Sequence, residues 1–307
     1  MAYSPQTAAD MANLVQCVYN MYGTGTNPNP PADPGLATMG YQVEMILTAK
    51  DIDAMKFYGI IASSKANPGD LVLAIRGTKD FTEWLLDFDA VPLPFMGMGF
   101  VAAGFRSIAD TFSLMDGSGT SHGLSDAITV LNAQAAITSL TILGHSLGSA
   151  LATLAAAQLA SQNPAGVKPL ISVWTYASPR VGLADFMGNY NNEVPANYRI
   201  WNSLDLVPQV PVYPYVHVGG DGEKLDQSEQ EMQELETTPG CEHNLATYQW
   251  LLDTKDFQIP QGCAIVADLA TAAAPEVIGA HAMEAAPSAA GERAQGRSAM
   301  YRAMHGV

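Results

Sequence analysis

Residues 141 to 156, TILGHSLGSALATLAA, place the strictest condition on the fold. Residues 139 to 144 suit a short buried strand and 147 to 162 a long Ala/Leu helix, with Gly144, Ser146 and Gly148 at the join. A serine on so sharp a turn has its hydroxyl thrust above the sheet edge, where side chains two residues before and after would collide. Glycine at both places removes the collision, so G-x-S-x-G here reads as an elbow that presents a nucleophile. The competing reading, a glycine-rich phosphate loop, wants G-x-x-x-x-G-K-[ST] or G-x-G-x-x-G, and neither is present. The helix starting at Leu147 also aims its unpaired N–H groups at negative charge developing beside the serine.

Around this join the chain alternates strands and helices. Residues 5 to 22 carry apolar positions near the helical period, and 24 to 35 are dense in breakers. YQVEMILTA, MKFYGIIASS and DLVLAIRGT read as successive strands, followed by AVPLPFMGMGFVAAGF (90 to 105), poor as helix and as strand. Residues 104 to 115 and 124 to 135 suit helices, and LISVWTYA and NYRIWN further strands. The alternation predicts an α/β sandwich, a mostly parallel central sheet flanked by helices. The body is expected over residues 1 to 262. Residues 263 to 307, Ala-rich and without helical or strand patterning, read as a C-terminal arm that need not pack on it.

Composition narrows the partners. At 48% hydrophobic and 14% charged, the chain has material for a large core. Its formal charge of -16 disfavours nucleic acid and anionic bilayers and leaves a neutral or cationic partner. Between Asp126 and Lys168 no charged side chain occurs, yet polar residues interrupt the run repeatedly, so a buried strand and helix are expected rather than a membrane span. MAYSPQTAAD lacks the basic start and apolar stretch of a secretory signal, which leaves a cytoplasmic location or export by a route without that signal. Cys17, Cys241 and Cys263 form no metal-like cluster and allow at most one disulfide, with buried free thiols the default expectation.

A serine hydroxyl needs a base, and the base a carboxylate behind it; where the serine sits on a strand-to-helix elbow of this kind, the chain order is Ser, Asp or Glu, His. Asp205 in NSLDLVPQVP follows the NYRIWN strand, where a loop at the carboxyl end of the sheet can reach the elbow; Asp221 and Asp226 are rivals in an acidic, solvated segment. Of the later histidines, His243 opens HNLATYQWLL after a Gly-containing loop. His217 in YPYVHVGG alternates like a strand and is the fallback, and His281 and His305 lie in the tail. His145 is too close to Ser146 to fold back as its base and is expected to pack beneath the elbow. The backbone N–H of Leu147 is one oxyanion donor.

Four blocks, LVLAIRGTKDFTEWLLDF, TILGHSLGSALATLAA, YASPRVG with YRIWNSLDLVPQVP, and HNLATYQWLL, occur in the order found in the class 3, fungal-type lipases, and the sequence resembles that family over roughly residues 40 to 252. The resemblance implies an α/β-hydrolase fold, a Ser146, Asp205, His243 triad and no metal or cofactor. It implies Thr78 in RGT as the second oxyanion donor, although a helix cap would read the same way. FTEWLLDF, with Phe81, Trp84 and Leu85, could form a short amphipathic lid like the family's, and AVPLPFMGMGF adds apolar surface nearby, unless both simply pack on the core. Where the family usually has a second elbow glycine this chain has Ser149, a small-for-small change expected to matter little. The implied reaction is hydrolysis of lipid esters, with contact at a lipid–water interface. The alternatives are an esterase of soluble short-chain or aromatic (feruloyl-type) esters, a phospholipase, or a catalytically silent binding module.

Overall fold

Strand periodicity sorts the core residues onto two faces of one sheet. The computed structural model describes residues 3–23, 27–51, 54–78, 88–253 and 256–265. An N-terminal meander supplies β1 (Tyr41–Asp51), β2 (Ala54–Ser64) and β3 (Asp70–Ile75). A small hairpin of β4 (Pro92–Pro94) and β5 (Phe100–Ala102) lies apart from the main sheet. Then follow β6 (Ser113–Asp116), β7 (Ser121–His122), β8 (Ser139–His145), β9 (Ile171–Tyr176), β10 (Asn197–Asn202) and β11 (Glu223–Leu225). The main sheet runs β11-β10-β9-β8-β3-β2-β1-β6-β7. From β11 to β3 every pairing is parallel, and from β3 to β7 every pairing is antiparallel.

Successive residues of a strand point to opposite faces. Leu71, Leu73, Ile75, Leu140, Ile142, Ile171 and Val173 face one layer of helices. That layer holds α3 (Ala103–Ala109), α4 (Leu124–Gln134), α5 (Leu147–Gln162) and α6 (Ala184–Glu193), helices numbered in chain order. Val72, Ala74, Leu143, Trp174, Tyr176 and Ile200 face the other layer, α1 (Pro5–Tyr22) and α9 (Leu245–Leu252). Between α1 and β1 in the chain comes a short α2 (Pro34–Thr38), and before α9 come α7 (Glu229–Glu234) and α8 (Pro239–His243). Thirteen of the sixteen residues of α5 are buried, which accounts for the charge-free run in the sequence, and no described helix is long and apolar enough to cross a membrane.

Two departures from the sequence reading have physical causes. The helix expected at 104 to 115 ends at Ala109; residues 113–116 instead pair with β1, Ser113 opposite Thr48, because the open edge of β1 offers hydrogen bonds that outweigh local propensity. The helix at 184–193, with Gly188 and three asparagines, has poor intrinsic propensity and is fixed by Phe186 and Tyr190, one turn apart and both fully buried.

Of the three cysteines one meets the default expectation and two form the single disulfide the count allows. Cys17 is a buried free thiol, pushed up to about 12 by burial and by Asp33. Cys241 and Cys263 are joined in a disulfide, because the chain after α9 folds back: Ala264 bridges to Leu235. The described body therefore continues to Ile265, past the division read from composition at 262, and residues 266–307 lie outside the described residues.

Candidate active site

The parallel register brings three strand ends level. Ile75 pairs with Gly144, and His145 with Tyr176, so β3, β8 and β9 finish together and their following loops share one edge of the sheet. Ser146 sits there at φ 58 and ψ -130, a conformation costly for a side-chain-bearing residue, and α5 begins at the next residue. The glycines explain why the turn closes. A Cβ on Gly144 would lie 2.2 Å from the Gly148 carbonyl oxygen, and one on Gly148 would lie 2.4 Å from that of Ile75. Since those obstacles are backbone, Gly148→Ala is expected to cost about 1–3 kcal/mol, seen as a lowered melting temperature in thermal denaturation.

Ser149 does more than stay small. Its buried hydroxyl lies 2.7 Å from the carbonyl oxygens of both Gly144 and Tyr176, donating to that pair, while the Ser146 N–H donates to Tyr176 O at 2.9 Å. The strained turn is thus clamped to the end of β9.

Three separated residues converge on this turn. His243 Nε2 lies 2.7 Å from Ser146 Oγ, and its Nδ1 lies 2.9 Å from Asp205 Oδ2. Ser146, Asp205 and His243 are all buried, at 0%, 1% and 7% exposure, so bulk water does not compete for these bonds. Asp205 also accepts from the Val207 N–H at Oδ1 and from the Tyr248 hydroxyl at Oδ2. Burial, and then the Asp205 charge, hold the Tyr248 phenol well above its ordinary pKa, so it stays a donor.

The other candidates lie elsewhere. His217 is not in a strand; its Nε2 donates to the Pro208 carbonyl at 2.7 Å. Burial and Arg199 lower its pKa to about 3, which leaves it neutral. The chain around it is held by a bridge from Val216 to Gly182 rather than by the sheet. Asp226 pairs with Lys224 at 2.7 Å on the surface, and Asp221 is exposed. Gly77 and Thr78 follow β3 directly toward Ser146: a Cβ on Gly77 would stand 2.8 Å from Ser146 Cβ. Leu147 N opens α5 beside the same serine. The lid residues Phe81, Trp84 and Leu85 lie outside the described residues. No cluster of His, Cys, Asp and Glu suited to a metal occurs among the described residues.

The sequence reading passed over Asn202 and Glu242. Asn202 Nδ2 donates to Glu242 Oε2 at 2.7 Å and to its carbonyl at 3.1 Å, tying the loop of Asp205 to that of His243. The Glu242 carboxyl is raised above its ordinary pKa, chiefly by burial. The adjacency of Glu242 to His243 and the Asn three residues before Asp205 are the signals that could have found the pair.

The chain is similar to several known proteins. The family model described as Lipase (class 3) matches residues 72–214. A rice protein (Oryza sativa subsp. japonica) named Phospholipase A1-II 4 is 35% identical over 170 residues, covering 49% of this chain and 42% of its own. The Secreted mono- and diacylglycerol lipase A of Penicillium cyclopium is 41% identical over 81 residues, 26% of this chain and 25% of its own. The chain thus spans less than half the length of either of these curated relatives. Among solved structures, a triacylglyceride lipase of Rhizomucor miehei superposes with a TM-score of 0.57 at 19% identity, over 75% of this chain and 83% of that one. The shared fold is the α/β-hydrolase fold.

Proposed function

We propose that this chain, which belongs to the class 3 lipase family, hydrolyses carboxylic esters of lipids through an acyl-enzyme on Ser146. The observation that carries the reading is the buried pair of hydrogen bonds on His243, one to Ser146 Oγ and one to Asp205. His243 Nε2 takes the proton as Ser146 Oγ bonds to the ester carbonyl carbon. The tetrahedral oxyanion meets the Leu147 N–H at the start of α5 and the Thr78 donor. His243 then passes its proton to the departing alcohol as the ester C–O bond breaks. A water, deprotonated by the same nitrogen, attacks the acyl-enzyme and releases the acid and free Ser146. Asp205 holds the Nδ1–H and balances the imidazolium formed in each half-reaction.

One observation supports a lipid ester over a small soluble one. Residues 90 to 105 turn only part of their apolar surface inward: Phe95 and Met98 are buried, whereas Val91, Leu93, Met96 and Phe100 are exposed on the β4–β5 hairpin. An exposed apolar patch of this kind suits a neutral lipid–water interface, and the net charge of -16 weighs against an anionic one. A phospholipase remains the second reading because the rice relative carries that name. For location, the disulfide favours export into an oxidising compartment over the cytoplasm.

The test is a set of initial rates on p-nitrophenyl esters of increasing acyl length, triacylglycerol emulsions and phosphatidylcholine vesicles, each beside Ser146→Ala. A long-chain optimum and turnover of the emulsion support the lipase. Vesicle hydrolysis alone moves the assignment to phospholipase, and a short-chain optimum to a soluble esterase. No rate above the variant on any substrate sinks the enzyme reading. Replacing Trp84 and Leu85 together with serine is expected to lower activity on emulsions more than on soluble esters; equal losses on both count against a lid there.

A further inference from the structure

We infer that Tyr19 of α1 is a positioning residue for the triad: its hydroxyl joins the turn after β3 to His145, and through His145 to the main chain of His243. The inference rests on the hydrolase reading above. Three bonds carry it. The Gly77 N–H donates to Tyr19 Oη at 2.8 Å, Tyr19 Oη lies 2.8 Å from His145 Nδ1, and His145 Nε2 lies 2.9 Å from the carbonyl oxygen of His243.

Chemistry fixes every hydrogen in this relay. His145 is 4% exposed, and burial first, then the neighbouring His243, hold its pKa well below the ordinary histidine value, so its ring carries one N–H. A carbonyl only accepts, which places that hydrogen on Nε2, facing His243 O. Nδ1 is then bare and must accept from the Tyr19 hydroxyl. The phenol in turn keeps its proton, since burial raises its pKa above the ordinary value, and its oxygen lone pair receives the Gly77 N–H. Donors and acceptors match along the whole path from Gly77 to His243.

The path is also packed. A Cβ on Gly77 would lie 2.6 Å from Tyr19 Oη, and the rings of His145 and His243 stand 4.9 Å apart, tilted by 35°. His145 therefore supports both the backbone and the ring of His243, the group that must stay 2.7 Å from Ser146 Oγ. Removing the Tyr19 hydroxyl strips His145 Nδ1 and the Gly77 N–H of this partner at once. The ring of His145 is then held by its Nε2–H bond to His243 O without the tether on Nδ1, and the turn carrying Thr78 loses its hydrogen bond to Tyr19. Small misplacements of a base are costly because the barrier depends on near-attack geometry.

Tyr19→Phe is expected to lower kcat about 10- to 100-fold with KM within about twofold. The rate is to be referred to active sites titrated with a p-nitrophenyl phosphonate, so that a loss of folded protein does not count as a loss of rate. A merely structural tyrosine would lower the melting temperature and the titrated fraction but leave kcat per titrated site unchanged. His145→Asn cuts the same relay, so Tyr19→Phe added to it is expected to cost less than about twofold more. As a readout independent of turnover, the ¹⁵N shifts of His145 are expected to report an Nε2–H tautomer in the wild type and a changed Nδ1 shift in Tyr19→Phe. A Tyr19→Phe kcat within twofold of wild type per titrated site, or losses that multiply in the double variant, would overturn the inference. If instead the wild type neither hydrolyses an ester nor is labelled at Ser146, the hydrolase reading fails and the positioning role with it.

Discussion

Ser146→Ala is expected to lower turnover about a millionfold on every ester the wild type accepts, with the fold intact. The size follows from the geometry of the elbow. The oxygen removed is the one 2.7 Å from His243 Nε2, on a residue with no solvent exposure, so a water cannot slip into its place in the same orientation. What survives is the stabilisation that Leu147 N–H and Thr78 offer to an oxyanion, about 10³ to 10⁴ over water. His243→Ala is expected to fall to the same level, and the double variant no lower, because serine and histidine act as one unit whose loss is complete when either goes. The measurement is kcat on a p-nitrophenyl ester, together with labelling by a fluorophosphonate, which Ser146→Ala must abolish. A variant that keeps a hundredth of the activity, or remains labelled, places the nucleophile elsewhere.

What was legible in the sequence is what depends on local rules. The elbow could be read because its requirements fall within five residues: two absent side chains, a strand before and a helix after. The chain-order rule then left few choices for Asp205 and His243, since an acid must follow the serine on a loop at the carboxyl edge and the base must follow the acid. Sheet pairing was less legible. β6 was hidden in a helical pattern because its identity depends on the open edge of β1, sixty-five residues away at Ser113 and Thr48. The disulfide was hidden for a related reason: Cys241 and Cys263 meet only because the chain after α9 returns to Leu235.

Tyr19, Asn202 and Glu242 were harder to read for another reason. A tyrosine in an amphipathic helix satisfies the pattern whether or not its hydroxyl is used, and a glutamate in an acidic segment reads as solvated. Only the tertiary structure reveals that Glu242 is 2% exposed and is tied to Asn202. The residues easiest to find are therefore those whose chemistry constrains their neighbours in sequence; those that hold the site by long-range hydrogen bonds leave almost no sequence trace. One consequence is that the supporting layer differs from the first expectation most where a polar group is enclosed, as with the hydroxyl of Ser149.

Asp205→Asn is expected to lower kcat by about 10⁴ while changing KM little. The carboxylate is surrounded by donors: the Val207 N–H at Oδ1, and both His243 Nδ1–H and the Tyr248 hydroxyl at Oδ2. An amide has one acceptor oxygen and one NH₂. If its oxygen faces His243 and Tyr248, the NH₂ opposes the Val207 N–H. If the amide flips, the NH₂ opposes the other two. In that second orientation the amide selects the tautomer of His243 with hydrogen on Nε2, which cannot accept the proton of Ser146. Two donors at Oδ2 against one at Oδ1 pull the balance toward oxygen at Oδ2, so the variant would retain some correct tautomer yet lose the negative charge that steadies the imidazolium. Tyr248→Phe separates these two effects. It removes one donor from Oδ2 but leaves the charge, and is expected to cost about tenfold or less. The check is kcat and KM for both variants on one ester, with melting curves to establish that each is folded. Equal losses in the two would mean that Asp205 serves through hydrogen-bond geometry alone, and a fall of tenfold or less in Asp205→Asn would move the charged partner of His243 to another carboxylate.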